Sequence, residues 1–192
     1  DLGRPVALRL FEGAALGAAA QSRFGAEARA IAQLDHAHLV KIYDFGACQD
    51  GRLYYAMELL HGESLDKRLQ REGKLPLAAV VDLVSQACSA LEAAHAAGVI
   101  HRDVKPANLF VTADGALKVL DFGVAKAGPE ALEAPADCML LVGTPEYMAP
   151  EQAGGEALPV SDVYALASVV YELVTGNLPF TGEGPLAILA QK

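Results

Sequence analysis

The period of apolar and polar positions changes several times along the 192-residue chain, and each change marks an element. Val6-Ala7-Leu8-Arg9-Leu10 is a short apolar run that suits either a strand or a buried helix fragment. From Ser22 to Leu34 the period is helical. Phe24, Ala28, Ile31 and Leu34 recur on one stripe, and Ser22 is placed to cap the first turn. His38 to Ala47 and Arg52 to Leu60 read as two strands around Gln49-Asp50-Gly51, where glycine supplies the positive φ of a hairpin turn. A long helix is expected after Pro76, with Val80, Leu83, Val84, Ala87, Leu91 and Ala94 on one stripe and Gly98 as its stop. Leu109-Phe110-Val111 and Ala116 to Leu120 are short strands joined through Asp114-Gly115. Ser161-Asp162 is expected to cap an apolar helix that runs to Thr175 and ends at Gly176.

Residues 124–150 show little periodicity and include Pro129, Pro135 and Pro145, and an irregular stretch of that length in a compact domain usually serves function. The order of elements, strand and helix, then hairpin, then a mainly helical part with short strands in its loops, predicts an α+β fold in two lobes. The change of texture falls near Leu60-His61-Gly62.

Composition narrows the function classes. The 53% apolar content is that of a chain able to bury a core. A net charge of −9 argues against a surface built for nucleic-acid phosphates. Cys48, Cys88 and Cys138 lack metal-ligand or Cys-x-x-Cys spacing and fit a reducing compartment. No signal pattern opens the chain, and its longest apolar stretch, Val163 to Val174, is too short to span a bilayer and contains Glu172. No membrane segment is therefore expected.

One segment carries most of the chemistry: His101-Arg102-Asp103-Val104-Lys105-Pro106-Ala107-Asn108, with Asp121-Phe122-Gly123 thirteen residues beyond Asn108. Asp103 is a carboxylate suited to take or orient a hydroxyl proton, and Lys105 is a cation suited to offset charge on a transferring phosphoryl group. Asn108 and Asp121 bring amide and carboxylate oxygens of the kind a hard divalent cation prefers. Asp44-Phe45-Gly46 repeats the tripeptide, but at a strand end with no catalytic loop before it, and is read as ordinary structure. His36, His38 and His95 are likewise read as structural.

The 101–123 segment resembles the catalytic and magnesium loops of the protein kinase family. Gly143-Thr144-Pro145-Glu146-Tyr147-Met148-Ala149-Pro150-Glu151 resembles the end of a kinase activation segment. Ser161-Asp162-Val163-Tyr164 resembles the start of the central C-lobe helix, and Gly176-Asn177-Leu178-Pro179-Phe180 the loop after it. Lys105 and the Gly-Thr-Pro sequence are similar to Ser/Thr rather than Tyr kinases, and the wording is especially like the eukaryotic-type kinases of bacteria.

The resemblance implies a two-lobed kinase-like fold. Residues 1–60 would form a partial N-lobe with its ATP-side strand, regulatory helix and hinge, the first two strands missing. Residues 61–192 would form a partial C-lobe with its last helices missing. It further implies phosphoryl transfer from ATP, with Mg²⁺, to Ser or Thr of protein substrates. Asp103, Lys105, Asn108 and Thr144 would be the catalytic set, and Asn108 and Asp121 the metal ligands. Ala7, Arg9, Glu27, Met57, Glu58, Leu60, Phe110 and Asp121 would form the nucleotide side, with Met57 as gatekeeper. Ile31, Ile42, His101 and Phe122 match the family's apolar column. The expected location is the cytoplasm, either free or as the cytoplasmic domain of a membrane-anchored protein.

Four departures from the pattern bear on activity, one being that no glycine-rich phosphate loop precedes Arg9. Arg9 stands where the family has lysine, and a planar guanidinium prefers a bidentate carboxylate such as Glu27 over reaching phosphate. Residues 124–142 contain no Ser, Thr or Tyr, so the expectation is either that an acidic residue, Glu130, Glu133 or Asp137, takes the place of a phosphate against Arg102 or that the loop is disordered. Glu151 is expected to lack the arginine partner it has in the family. These departures support a second reading, a pseudokinase that acts as a binding module. A small-molecule kinase is the third, and the Thr144–Glu151 segment speaks against it.

Overall fold

A computed structural model describes residues 3–11, 18–122 and 144–192, with the side chains of 18–21, 23 and 27 outside the description. The expected acidic partners of Arg102 (Glu130, Glu133 and Asp137) lie outside the described residues, as do Gly123, Cys138 and the side chain of Glu27.

The first part is a three-stranded antiparallel sheet with a helix. Strands β1 (Val6–Leu10), β2 (Ile42–Ala47) and β3 (Leu53–Glu58) lie in the order β1-β3-β2. The hairpin between β2 and β3 turns at Gly51, whose φ of 85° only glycine adopts freely. Val6–Leu10 is thereby resolved as a strand and not a helix fragment.

Helix α1 (Ala18–Ala32) begins four residues before the expected cap, and Ser22 lies inside it. Ala18-Ala19-Ala20 explains the shift, because alanine extends a helix at the lowest cost. Phe24, Ala28 and Ile31 are buried as the stripe predicts. The strand expected from His38 starts only at Ile42. The backbone of 38–40 is used elsewhere: Val40 N donates to Val119 O at 3.0 Å and Val119 N donates to His38 O at 2.8 Å. Those bonds tie the first part to the second.

The second part carries a small sheet, β4 (Gly62–Ser64), β5 (Leu109–Thr112) and β6 (Leu117–Val119), in the order β4-β5-β6. Around it lie α2 (Leu65–Glu72), α3 (Leu77–Ala96), α4 (Pro150–Ala153), α5 (Pro159–Thr175) and α6 (Pro185–Leu189). Period alone did not isolate β4, α2, α4 or α6, all of which are short. Helix α3 buries Val80, Leu83, Ala87, Leu91 and Ala94 against α5 and β6, and Val84 packs at the edge of that core. Among the described residues α3 is also the helix long and apolar enough to cross a membrane by length and composition, though its buried stripe is that of a core helix. Helix α5 starts at Pro159, two residues before the expected cap. Ser161 Oγ accepts the Leu158 N–H at 3.1 Å from inside the first turn, and Gly176 (φ 76°) ends the helix as expected.

Candidate functional site

Asp162, read from sequence as a helix cap, is instead the buried anchor of the catalytic loop. It is 1% exposed and reaches out of α5 to the loop backbone. Its Oδ2 accepts the His101 N–H at 2.8 Å and stands 2.7 Å from His95 Nε2, while Oδ1 accepts the Arg102 N–H at 2.8 Å. The bonds are needed because Arg102 has φ 65°, a left-handed conformation disfavoured for a residue with a Cβ. His95 is thus structural, as read. His101 is fully buried and its ring is used on both sides. Nε2 lies 2.8 Å from Leu120 O, and Nδ1 accepts the Asp103 N–H at 3.2 Å. That pairing needs a neutral ring, and burial accordingly pushes the imidazole below its ordinary value, against the pull of Asp162 and Asp103.

From this support Asp103 and its neighbours follow. Lys105 Nζ lies 2.9 Å from Asp103 Oδ2 and donates to Thr144 Oγ1 at 2.9 Å. The Asn108 amide nitrogen donates to Asp103 O at 2.8 Å and to Asp103 Oδ2 at 3.2 Å. Four side chains predicted as one catalytic set are therefore linked in a chain of contacts, Thr144 to Lys105 to Asp103 to Asn108. A cleft beside them is lined by Arg102 and Asp103 on one side and by Thr144, Tyr147 and Met148 on the other.

The nucleotide-side residues are distributed by strand register. Ala7 pairs with Met57 and Arg9 with Tyr55 across β1 and β3. Opposed residues share a face and alternate residues return to it, so Ala7, Arg9, Met57 and Tyr55 all lie on one face of the sheet. Glu58 ends β3, and its carboxylate accepts the Lys41 N–H at 2.9 Å and lies 2.9 Å from Lys118 Nζ. Leu60 follows the strand, half-buried, and Phe110 lies in β5 opposite Ser64 and Lys118. Glu27 lies in α1.

Arg9 has a partner that the sequence reading did not name. Its guanidinium is paired with Asp121 Oδ2. The other oxygen of Asp121 accepts the hydroxyl hydrogen of Tyr55. Tyr55 was missed. It is 2% exposed, and burial together with the Asp121 charge raises its phenol well above the ordinary range. Strand alternation two residues before Met57 carried the signal, but the contact to Asp121 spans 66 positions. Glu151 has a partner the sequence reading did not name, accepting the Ser161 hydroxyl hydrogen at 2.5 Å. The second Asp-Phe-Gly is structural, as read, since Asp44 accepts from the Phe45 N–H and the Tyr54 hydroxyl. Within the apolar column, the His101 and Phe122 rings lie 4.6 Å apart, and Ile31 and Ile42 are buried in the same core.

Comparison with known proteins agrees with this geometry. The protein kinase domain family matches residues 2–191. The chain is 46% identical over 171 residues to serine/threonine-protein kinase PknA of Mycobacterium tuberculosis, covering 86% of this chain and 39% of that protein. It is 42% identical over 194 residues to serine/threonine-protein kinase PknL of the same organism, covering 100% of this chain and 48% of that protein. Serine/threonine-protein kinase pkn3 of Myxococcus xanthus is 45% identical over 169 residues, covering 84% of this chain and 31% of that protein. The chain spans less than half the length of these curated relatives. With the α+β kinase-like fold, the match over nearly its full length makes the chain a member of the protein kinase domain family, of the serine/threonine type.

Proposed function

We propose that the chain is the phosphoryl-transferring part of a Ser/Thr protein kinase that uses ATP with Mg²⁺ and acts on protein substrates in the cytoplasm. The observation that carries the reading is the joined set Asp103, Lys105, Asn108 and Thr144. Asp103 takes or orients the hydroxyl proton of the acceptor Ser or Thr, and its carboxylate is held in place by Asn108. Lys105, anchored on Thr144, brings positive charge to the phosphoryl group in transit. On the nucleotide side, Ala7, Met57, Glu58, Leu60 and Phe110 supply the adenine surroundings in this reading, and Glu27 the partner of the strand cation.

The residues fit magnesium. The Asn108 amide nitrogen is spent on Asp103, which leaves its amide oxygen as the group to offer a cation, and Asp121 offers a carboxylate; such a sparse donor set suits an ion completed by phosphate oxygens and water. When bound, Mg²⁺ neutralises phosphate charge. Under the same reading, residues 1–60 carry the ATP-side strand, the regulatory helix and the hinge, and 61–192 the catalytic loop, magnesium loop, activation segment and central helix.

A second reading has its own observation. Arg9 and Tyr55 occupy both oxygens of Asp121, the carboxylate needed for the metal, which favours a pseudokinase with weak nucleotide binding. Thermal shift with Mg²⁺-ATP and phosphotransfer assays on the full-length protein separate the two. Transfer abolished by Asp103→Ala supports the kinase. No shift and no transfer in the parent, both restored by Arg9→Lys, supports the pseudokinase.

A further inference from the structure

Helix α6 is five residues long and buries one side chain, Ile188. What fastens the turn after it to the rest of the protein is Lys192. Its Nζ donates to the carbonyls of Pro145 at 2.7 Å, Glu146 at 3.0 Å and Met148 at 2.7 Å. An ammonium group has three N–H donors, and all three find acceptors on one short segment. The same nitrogen lies 5.4 Å from the centre of the Tyr164 ring and 5.5 Å from that of Phe180, within cation–π range. Burial pushes this amine down to about 8, against the pull of Glu146. It is a half-buried cation, not a fully solvated surface lysine.

The three carbonyls belong to the segment that forms one wall of the cleft beside Asp103. Its inner side is already organised: Thr144 holds Lys105, the Tyr147 and Met148 N–H groups donate to Thr144 O at 3.1 and 3.2 Å, and the Tyr147 hydroxyl donates to Glu172 at 2.6 Å. The Pro145, Glu146 and Met148 carbonyls are what Lys192 gathers from the other side. A compact ammonium can sit at the meeting point of three carbonyls, whereas the flat fork of arginine cannot match that arrangement.

We propose that Lys192 is a positioning residue for the peptide that receives the phosphoryl group: it fixes the backbone of residues 145–148, on which that peptide lies, by binding three of its carbonyls. The proposal rests on the kinase reading for the identity of the ligand. In that reading, the turn after α6 and the acceptor site form one unit, so whatever displaces α6 also changes peptide binding.

The test compares parent, Lys192→Met and Lys192→Arg in the full-length protein, with myelin basic protein as acceptor. Methionine keeps an unbranched apolar stem and removes every donor. Amide exchange of Tyr147 and Met148 should accelerate about ten-fold or more in Lys192→Met, while the amides of α3 keep their parental rates. The KM for the acceptor should rise about ten-fold with kcat and the KM for ATP near parental values, and Lys192→Arg should fall between. Unchanged exchange at Tyr147 and Met148 overturns the proposal, and so does a rise of both KM values together. Should the parent transfer no phosphoryl group, the kinase reading fails, and exchange together with the affinity for unmodified myelin basic protein still decides the role of Lys192.

Discussion

Replacing Asp162 by alanine is the sharpest test of how the catalytic loop is held. The substitution removes the acceptor of the His101 and Arg102 N–H groups, both at 2.8 Å, and the partner of His95 at 2.7 Å. A carboxylate that is 1% exposed leaves no route for water to replace it without rearrangement. Each buried donor left without an acceptor costs about 1–3 kcal/mol. The two loop amides therefore account for about 4 kcal/mol, and the more accessible His95 adds little because water can reach it. For a domain of this size the loss corresponds to a fall in Tm of about 8–16 °C. Urea unfolding at neutral pH, followed by far-UV circular dichroism, reads the change directly. Asp162→Asn should lose less, since it keeps one acceptor but points an N–H group at another donor. A loss in Asp162→Ala below about 1 kcal/mol would refute the reasoning, because the loop amides would then have found other partners.

Two further outcomes follow from the geometry of the site. Tyr55→Phe deletes the hydroxyl that occupies one oxygen of Asp121 without changing the ring, so the affinity for Mg²⁺-ATP should rise about ten-fold by titration calorimetry; an unchanged Kd would show that this hydrogen bond does not oppose the metal. His101, held neutral by burial, has a lowered folded-state pKa, so its contribution to stability is present above about pH 6.5 and is lost as pH falls through the folded value. Tm should accordingly fall from pH 6.5 to 5, at most about 1.4 kcal/mol per pH unit from this group, and His101→Phe should flatten that limb. Parallel pH profiles for parent and variant would sink the assignment.

Much of the candidate site was legible along the chain because its members lie close in sequence and in one loop. Asp103, Lys105 and Asn108 fall within six residues, and the loop that holds them needs only their spacing to be recognised. The α3 stripe and the Gly51 and Gly176 turns were legible for the same reason, since a period or a positive φ is a local property. Boundaries were less so. The alanine run moved the start of α1 forward, and the demand of Val119 for partners delayed β2 to Ile42. The first shift has a local cause in helix propensity, and the second a tertiary cause in the pairing with Val119.

Tertiary structure decided the partners. Asp162 read as a cap because serine and aspartate before an apolar run are a cap signal, yet its acceptors are taken by a loop 60 and 61 residues away. The charge of Arg9 meets Asp121, 112 residues on, a partner that no local spacing indicates. Strand alternation put Tyr55 on the Met57 face but gave no sign of its bond to Asp121, and Lys192 looked like any polar residue after a helix. Sequence by itself determined the family, the fold class and the grouping of Asp103, Lys105 and Asn108 in one loop, because those depend on residue type and short spacing. Which group neutralises which depended on the burial of polar atoms among distant segments. Once withdrawn from water, each must take the acceptor or donor that the packed chain brings within reach.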